Sequence, residues 1–244
     1  MTSAPRLRLG ITLWLIAMAG VVVLTLTTLP QWLARMPMAP PMPLALTASL
    51  VQGGLLAALA VWTGLSLSAP LGLGAPCLQA LVLGGDALTP LRRQLMPALV
   101  AGVATGLFLS AMTRTAPAAL LAAGATVDIP LSAKLLYGGA TEEILMRWGL
   151  MTFLLWLPWR FLQQREGKPH AGFVAAAVIG AALLFGLLHL PAIAALEVPL
   201  TWQVITYIVA GNAAPGIVLG FLYRLRGIEA AMLAHALAHL VAHP

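Results

Sequence analysis

Glu142, Glu143 and Arg147 stand together in GGATEEILMRWG (138–149), and no other charged residue occurs from Leu135 to Trp159. His189 closes the stretch FGLLHLP, four residues after Phe185. His235 and His239 lie in MLAHALAHLVAHP, with His243 a further four on. Carboxylates and imidazoles are the side chains that give and take protons near neutral pH. A His-x-x-x-His pair on a helix also puts both rings on one face, as zinc binding needs. The spacing therefore raises two chemistries, proton handling and metal binding.

An ionised side chain at the centre of a membrane helix costs about 2.5–3.5 kcal/mol on the insertion scale. Such a residue needs a partner or a wet cavity. Glu143 and Arg147 are i,i+4 neighbours in the favourable order, so they can neutralise one another within one helix. An α-helix turns by about 100° per residue, so Glu142 points elsewhere. It has no cation on its own helix and needs a partner from another one. The histidines are the candidates.

The elements that must position these groups are membrane helices. The chain has 244 residues, 61% hydrophobic and 8% charged. That charge fraction is too small to cover a soluble surface, where about 25% is usual. We expect an all-α, polytopic transmembrane helix bundle with spans at about 9–29, 44–66, 95–112, 130–157, 172–190, 200–223 and 228–242. The count is seven, with eight as the upper figure. The Gly- and Pro-broken stretch 68–90 reads as interfacial or re-entrant, and 116–130 as holding a short interfacial helix. Residues 1–129 are expected to form an N-terminal helical block and 130–243 a helical core, within one membrane unit. The basic start and long apolar run read as an uncleaved first span. The single cysteine, Cys77, excludes an intrachain disulfide and a cysteine-rich metal site.

Basic residues set the orientation. Placing the N-terminus in the cytoplasm puts Arg6, Arg8, Arg92, Arg93, Arg160, Arg165, Lys168, Arg224 and Arg226 on that side. Arg35 and Arg114 fall on the other, while Lys134 and Arg147 lie within the fourth span. This bias favours the N-in topology. It also explains the net charge of +6 without a nucleic-acid partner.

Depth tests which groups can meet. Glu142 stands 18 residues before Arg160, and His189 stands 17 after Gly172. On adjacent antiparallel helices the two reach one level, at about 1.5 Å per residue. His235 and His239 follow Gly227 by eight and twelve residues, so they are expected somewhat nearer the cytoplasmic side, a gap that a helix starting deep in the bilayer would close.

Glu-Glu-x-x-x-Arg at 142–147, Phe-x-x-x-His at 185–189 and His-x-x-x-polar at 235–239 occur in that order. Together with GIVLGFLYRLRGIEAAMLAHALAHL (216–240), they resemble the CPBP family of membrane endopeptidases, the CAAX-prenyl-protease, bacteriocin-processing and Abi-like family. The resemblance covers about residues 130–243. It implies hydrolysis of a peptide bond in a membrane protein or lipidated peptide substrate, within the bilayer of a bacterial inner membrane. It implies catalytic roles for Glu142, His189, His235 and His239, with Glu142 activating water. Glu143, Arg147 and Phe185 would support them. The family usually has Asn or a small polar residue where this chain has His239, so the oxyanion role rests here on a histidine. No cofactor is required in this reading. The rival form binds zinc through His189, His235, His239 and Glu142, although a zincin's glutamate after the first histidine is replaced by Ala236. A proton-coupled transporter could use the same Glu/His cluster. Asn212, Gly211, Pro215 and Gly216 would then mark a broken sixth helix; a packed, proline-kinked helix is the preferred reading. Trp156 and Trp159 suit a membrane interface, and Gln203, Thr206 and Tyr207 suit contacts between helices.

Overall fold

The computed structural model of the chain describes residues 3–36, 38–122 and 129–243. Among these, the regular structure is helical. A bilayer core offers the backbone no water, so each spanning segment must satisfy its own N–H and C=O groups, and helices do this. The elements are α1 (Ser3–Thr27), α2 (Leu29–Leu33), α3 (Met42–Leu67), α4 (Pro76–Val82), α5 (Leu88–Thr113) and α6 (Ala118–Ala122). Next comes α7, an unbroken helical rod over 131–161. It is followed by α8 (Ala171–Leu187), α9 (Leu190–Ala195), α10 (Trp202–Arg226) and α11 (Ile228–Ala242).

Five helices are long and apolar enough to cross a membrane: Ala4–Leu33, Met42–Leu67, Leu88–Thr113, Ala171–Ala195 and Trp202–Arg226. Each overlaps an expected span. The α7 rod coincides with the expected fourth span but carries the charged cluster, and α11 is a shorter apolar helix of 15 residues. Leu55, Leu59 and Trp62 of α3 and Val100 and Leu107 of α5 are more than half exposed. Glu143, Thr141, Arg147, Thr152 and Gln94 are instead buried. Apolar outside and polar inside is the arrangement a lipid solvent favours.

Small residues bring the helices together, as in membrane bundles generally. Gly102 and Gly106 of α5 leave room for α11: a Cβ at either position would lie 2.8 Å from a carbonyl oxygen, of Ala234 and Ala238 respectively. At Gly20 of α1 a Cβ would strike Thr141 and the Leu136 carbonyl. Contact is that close because the Thr141 hydroxyl donates to the Ala17 carbonyl, 2.8 Å away. Helix α10 runs unbroken through Pro215, so it is the packed, proline-containing helix and not a broken one. The Tyr207 hydroxyl donates to the Met112 carbonyl, a contact between helices as expected.

The stretch 68–90 folds into the bundle. A 3₁₀ turn at Ala69–Leu71 leads to α4, with Leu71, Leu73 and Ala75 buried. The start of α11 is tied to it: Ile228 N–H donates to the Gly74 carbonyl, and Leu78 N–H donates to Glu229 Oε1 at 2.9 Å. Before α5, Asp86 accepts from the Thr89 hydroxyl and from the N–H groups of Leu88 and Thr89. These bonds, the hydroxyl first, hold its carboxyl below the usual carboxylate range. The short helix expected within 116–130 is α6; residues 123–128 lie outside the described residues.

Candidate active site

The rod that carries the glutamates departs from α geometry. After one α turn at Leu131–Ala133, the backbone is π-helical over Lys134–Glu142 and Ile144–Met151, then α-helical again over Thr152–Phe161. A π-helix closes i→i+5 bonds and is found disproportionately at functional sites. Its wider winding turns less per residue than an α-helix. The expected angle of about 100° between the adjacent glutamates is thereby corrected downward.

That difference shows in the contacts. Glu143 Oε1 lies 2.9 Å from Arg147 Nη1, the pair expected from the sequence. The contact is charge against charge, since the Nη1 hydrogens are not aimed at the oxygen. The same oxygen lies 2.7 Å from His235 Nδ1. His235 Nδ1–H donates to Glu143, which leaves Nε2 directed at the other carboxylate, 4.0 Å from Glu142 Oε2. One imidazole therefore spans both glutamates. This corrects the assignment of Glu143 to Arg147 alone.

The depth arithmetic is corrected too. His235, placed by counting on the cytoplasmic side of Glu142, is the histidine that forms a close pair with it. The reason lies at the start of α11. Ile228 and Glu229 are buried against the Gly74–Leu78 chain, so this helix begins inside the bundle and carries His235 to the level of Glu142.

His189 sits where α8 gives way to α9. Its Nδ1–H donates to the Phe185 carbonyl at 2.8 Å, and its ring meets the Phe185 ring edge-on at 4.7 Å. This fixes the tautomer and leaves Nε2 as the free nitrogen. The Arg147 guanidinium lies over the face of Phe185, 5.6 Å from its centroid, and Nη2–H donates to the Gly216 carbonyl. Phe185 and Arg147 thus join α7, α8 and α10 beside the two catalytic candidates. On α11, His239 stacks on His235 with ring centroids 4.9 Å apart, and its Nε2 lies against Gly138 of α7. His243 is exposed beyond the end of α11.

Glu142, His189, His235 and His239 all line one cavity of about 1110 Å³. Its walls are largely apolar, with Leu59, Leu145, Phe153 and Trp156 among them. Cavities of this kind, apolar with a few convergent polar groups, are the usual form of a small-ligand or catalytic site. Lys134, Tyr137 and Asn212 also line it. None of them stood among the site candidates from the sequence. A polar residue within a membrane helix is itself a signal of function, and it would have found Lys134 and Asn212.

The proposed zinc ligands do not converge. Among the described residues, no three His, Cys, Asp or Glu side chains form a group able to hold a metal ion. His235 Nδ1 is engaged by Glu143 and His189 Nδ1 by a carbonyl, which leaves Nε2 of each ring free. The four named residues share a cavity without forming a ligand set.

Comparison with curated proteins gives no match, and comparison with solved structures gives none either. A family comparison does. Residues 129–241, the segment that supplies every candidate site residue, match the model described as type II CAAX prenyl endopeptidase Rce1-like. That segment is similar to the Rce1-like family of membrane endopeptidases, consistent with the CPBP resemblance of its three motifs.

Proposed function

We propose that the chain cleaves a peptide bond of a membrane-associated, prenylated or otherwise lipid-anchored protein, with Glu142 as the group that activates water. The observation that carries this reading is the position of Glu142. Its carboxylate lines the cavity and faces His235 Nε2, while Arg147 of its own helix is paired with Glu143. A carboxylate so placed can take a proton from water as the oxygen attacks the scissile carbonyl. His189, with Nε2 free, shares the water. His235, which can donate from Nε2 only when it carries a second proton, and His239 supply donors to the developing oxyanion, in a low-dielectric site where such donors are worth most. Glu143 holds the His235 ring in its tautomer, and Arg147 balances the charge of Glu143. We also propose that α7 and α11 cross the membrane, giving seven traverses with the N-terminus in the cytoplasm.

The test is cleavage by the purified protein in liposomes. A farnesylated peptide substrate and a membrane proteome comparison serve as readouts. We expect Glu142→Gln to lower turnover by about 10²–10⁴-fold, the usual worth of a positioned base. Full activity in that variant would reject the mechanism. Metal analysis with chelator treatment accompanies the assay, and a stoichiometric metal whose removal stops cleavage would assign the zinc form. Proton-coupled uptake without cleavage would assign the transporter.

A further inference from the structure

Lys134 is the cation of the cavity that the mechanism does not use. It stands on the same rod as Glu142, eight residues before it, and lines the cavity together with Tyr137 and Gly138. It is half-buried. Arg147 is paired with Glu143, and Glu142 faces His235. The ion pairs among the described residues are these and the His235–Glu143 contact, so Lys134 takes part in none. Its charge is close enough to His239 for the two to interact. That places it toward the catalytic histidines and not on the lipid face of the rod.

An ammonium at the centre of a membrane helix carries an insertion cost of about 2.5–3.5 kcal/mol unless something compensates it, and one in the first turns, as at Lys134, carries less. A lysine near a helix end often meets that cost by reaching outward to the headgroups. Lys134 instead lines the cavity that holds the carboxylate base. An anionic group that enters this cavity could pair with it. Eight residues of helix separate Lys134 from Glu142. That is on the order of 10 Å along the rod, or about three residues of extended peptide. A peptide whose scissile carbonyl lies at Glu142 can therefore place an anionic group about three residues away at Lys134.

We propose that Lys134 is a specificity residue that binds a carboxylate of the substrate about three residues from the scissile bond. The proposal rests on the endopeptidase reading for the register of the peptide, but not for the binding itself. A carboxylate has two sources in a peptide: the C-terminal α-carboxylate of a short leaving segment, or an Asp or Glu side chain. A point charge on a flexible stem suits either one, since no bidentate geometry is required.

The experiment measures binding and cleavage separately, in liposomes of neutral lipid. Three fluorescent farnesylated peptides are compared. One has a free C-terminus three residues beyond the prenylated cysteine. One is its C-terminal amide. The third is the amide with Asp as the last residue. Binding is read on Glu142→Gln protein, so that turnover does not interfere, and cleavage on the otherwise unaltered chain. We expect the free acid to bind at least tenfold more tightly than the amide. Lys134→Met should abolish that difference, and Lys134→Arg should keep most of it. Recovery of binding by the Asp amide assigns recognition of a side chain; its failure assigns the α-carboxylate. Equal binding of acid and amide, no binding of either, or an unchanged difference in Lys134→Met would each overturn the proposal. Charge-selective binding without cleavage by the unaltered chain would leave the Lys134 site standing and reject the endopeptidase reading. Thermal unfolding of Lys134→Met in the same liposomes checks that the variant is folded.

Discussion

Glu143 is the best-connected residue of the site, although Glu142 carries the proposed chemistry. It is fully buried, and one of its oxygens holds both Arg147 and His235. Removing it strands a guanidinium and an imidazole in a low-dielectric interior. Breaking a buried pair in this way typically costs about 3–5 kcal/mol. Glu143→Ala should therefore lower the unfolding midpoint markedly in micelles, whereas Glu142→Gln, at the cavity wall, should shift it little. The two variants should both be inactive for different reasons. Circular dichroism melts of the two will separate them; a stable, active Glu143→Ala protein would refute the network. The sequence reveals the Glu143–Arg147 half of this arrangement because i,i+4 spacing is a local rule. The His235 half joins residues 92 positions apart, and nothing local encodes it.

Close approach of α7 and α11 is what brings Glu142 to His235, and two glycines permit it. A Cβ at Gly139 would lie 2.9 Å from the Ala236 Cβ and 3.1 Å from its Cα. A backbone atom cannot swing away as the end of a long side chain can. Gly139→Ala should then push the helices apart, costing about 1–3 kcal/mol as overpacking does. It should also reduce cleavage more than binding, since the 4.0 Å separation of Glu142 and His235 lengthens. Unchanged cleavage together with an unchanged melting temperature would show that the contact yields freely. The sequence showed most of these elements plainly, because long apolar runs and their charged ends mark membrane helices. It did not show the π-helical winding of 134–151, which residue spacing read at 3.6 per turn hides. Nor did it show that α11 starts inside the bundle. That follows from Glu229 capping α4 across 151 positions, a contact between distant segments.

At the scale of the molecule, the helices that bear basic residues share one end. Arg6 at the start of α1 donates to Ser66 at the end of α3, and Arg224 at the end of α10 donates to the Gly72 carbonyl. The proposed seven alternating traverses would place Arg92, Arg93, Arg160, Arg165 and Lys168 at that same end, and Arg35 and Arg114 at the other. The excess of Arg and Lys in short loops marks the cytoplasmic side. Along α7, Glu142 follows the first residue, Leu131, by 11 positions and precedes the last, Phe161, by 19. On the proposed N-in topology it is nearer the non-cytoplasmic end, and the cavity should then take its substrate from there. Single cysteines test both steps in a Cys77→Ser background, using a maleimide that cannot cross the membrane of intact cells. A cysteine at exposed Lys168 should be labelled only after the cells are opened. One at Ala192, in the cavity wall beside His189, should be labelled in intact cells. Labelling of Lys168→Cys from outside would reverse the topology. Labelling of Ala192→Cys only from the cytoplasm would keep the topology but turn the cavity inward. A cytoplasmic lipidated tail would then be the natural substrate, where an outward cavity selects an exported one.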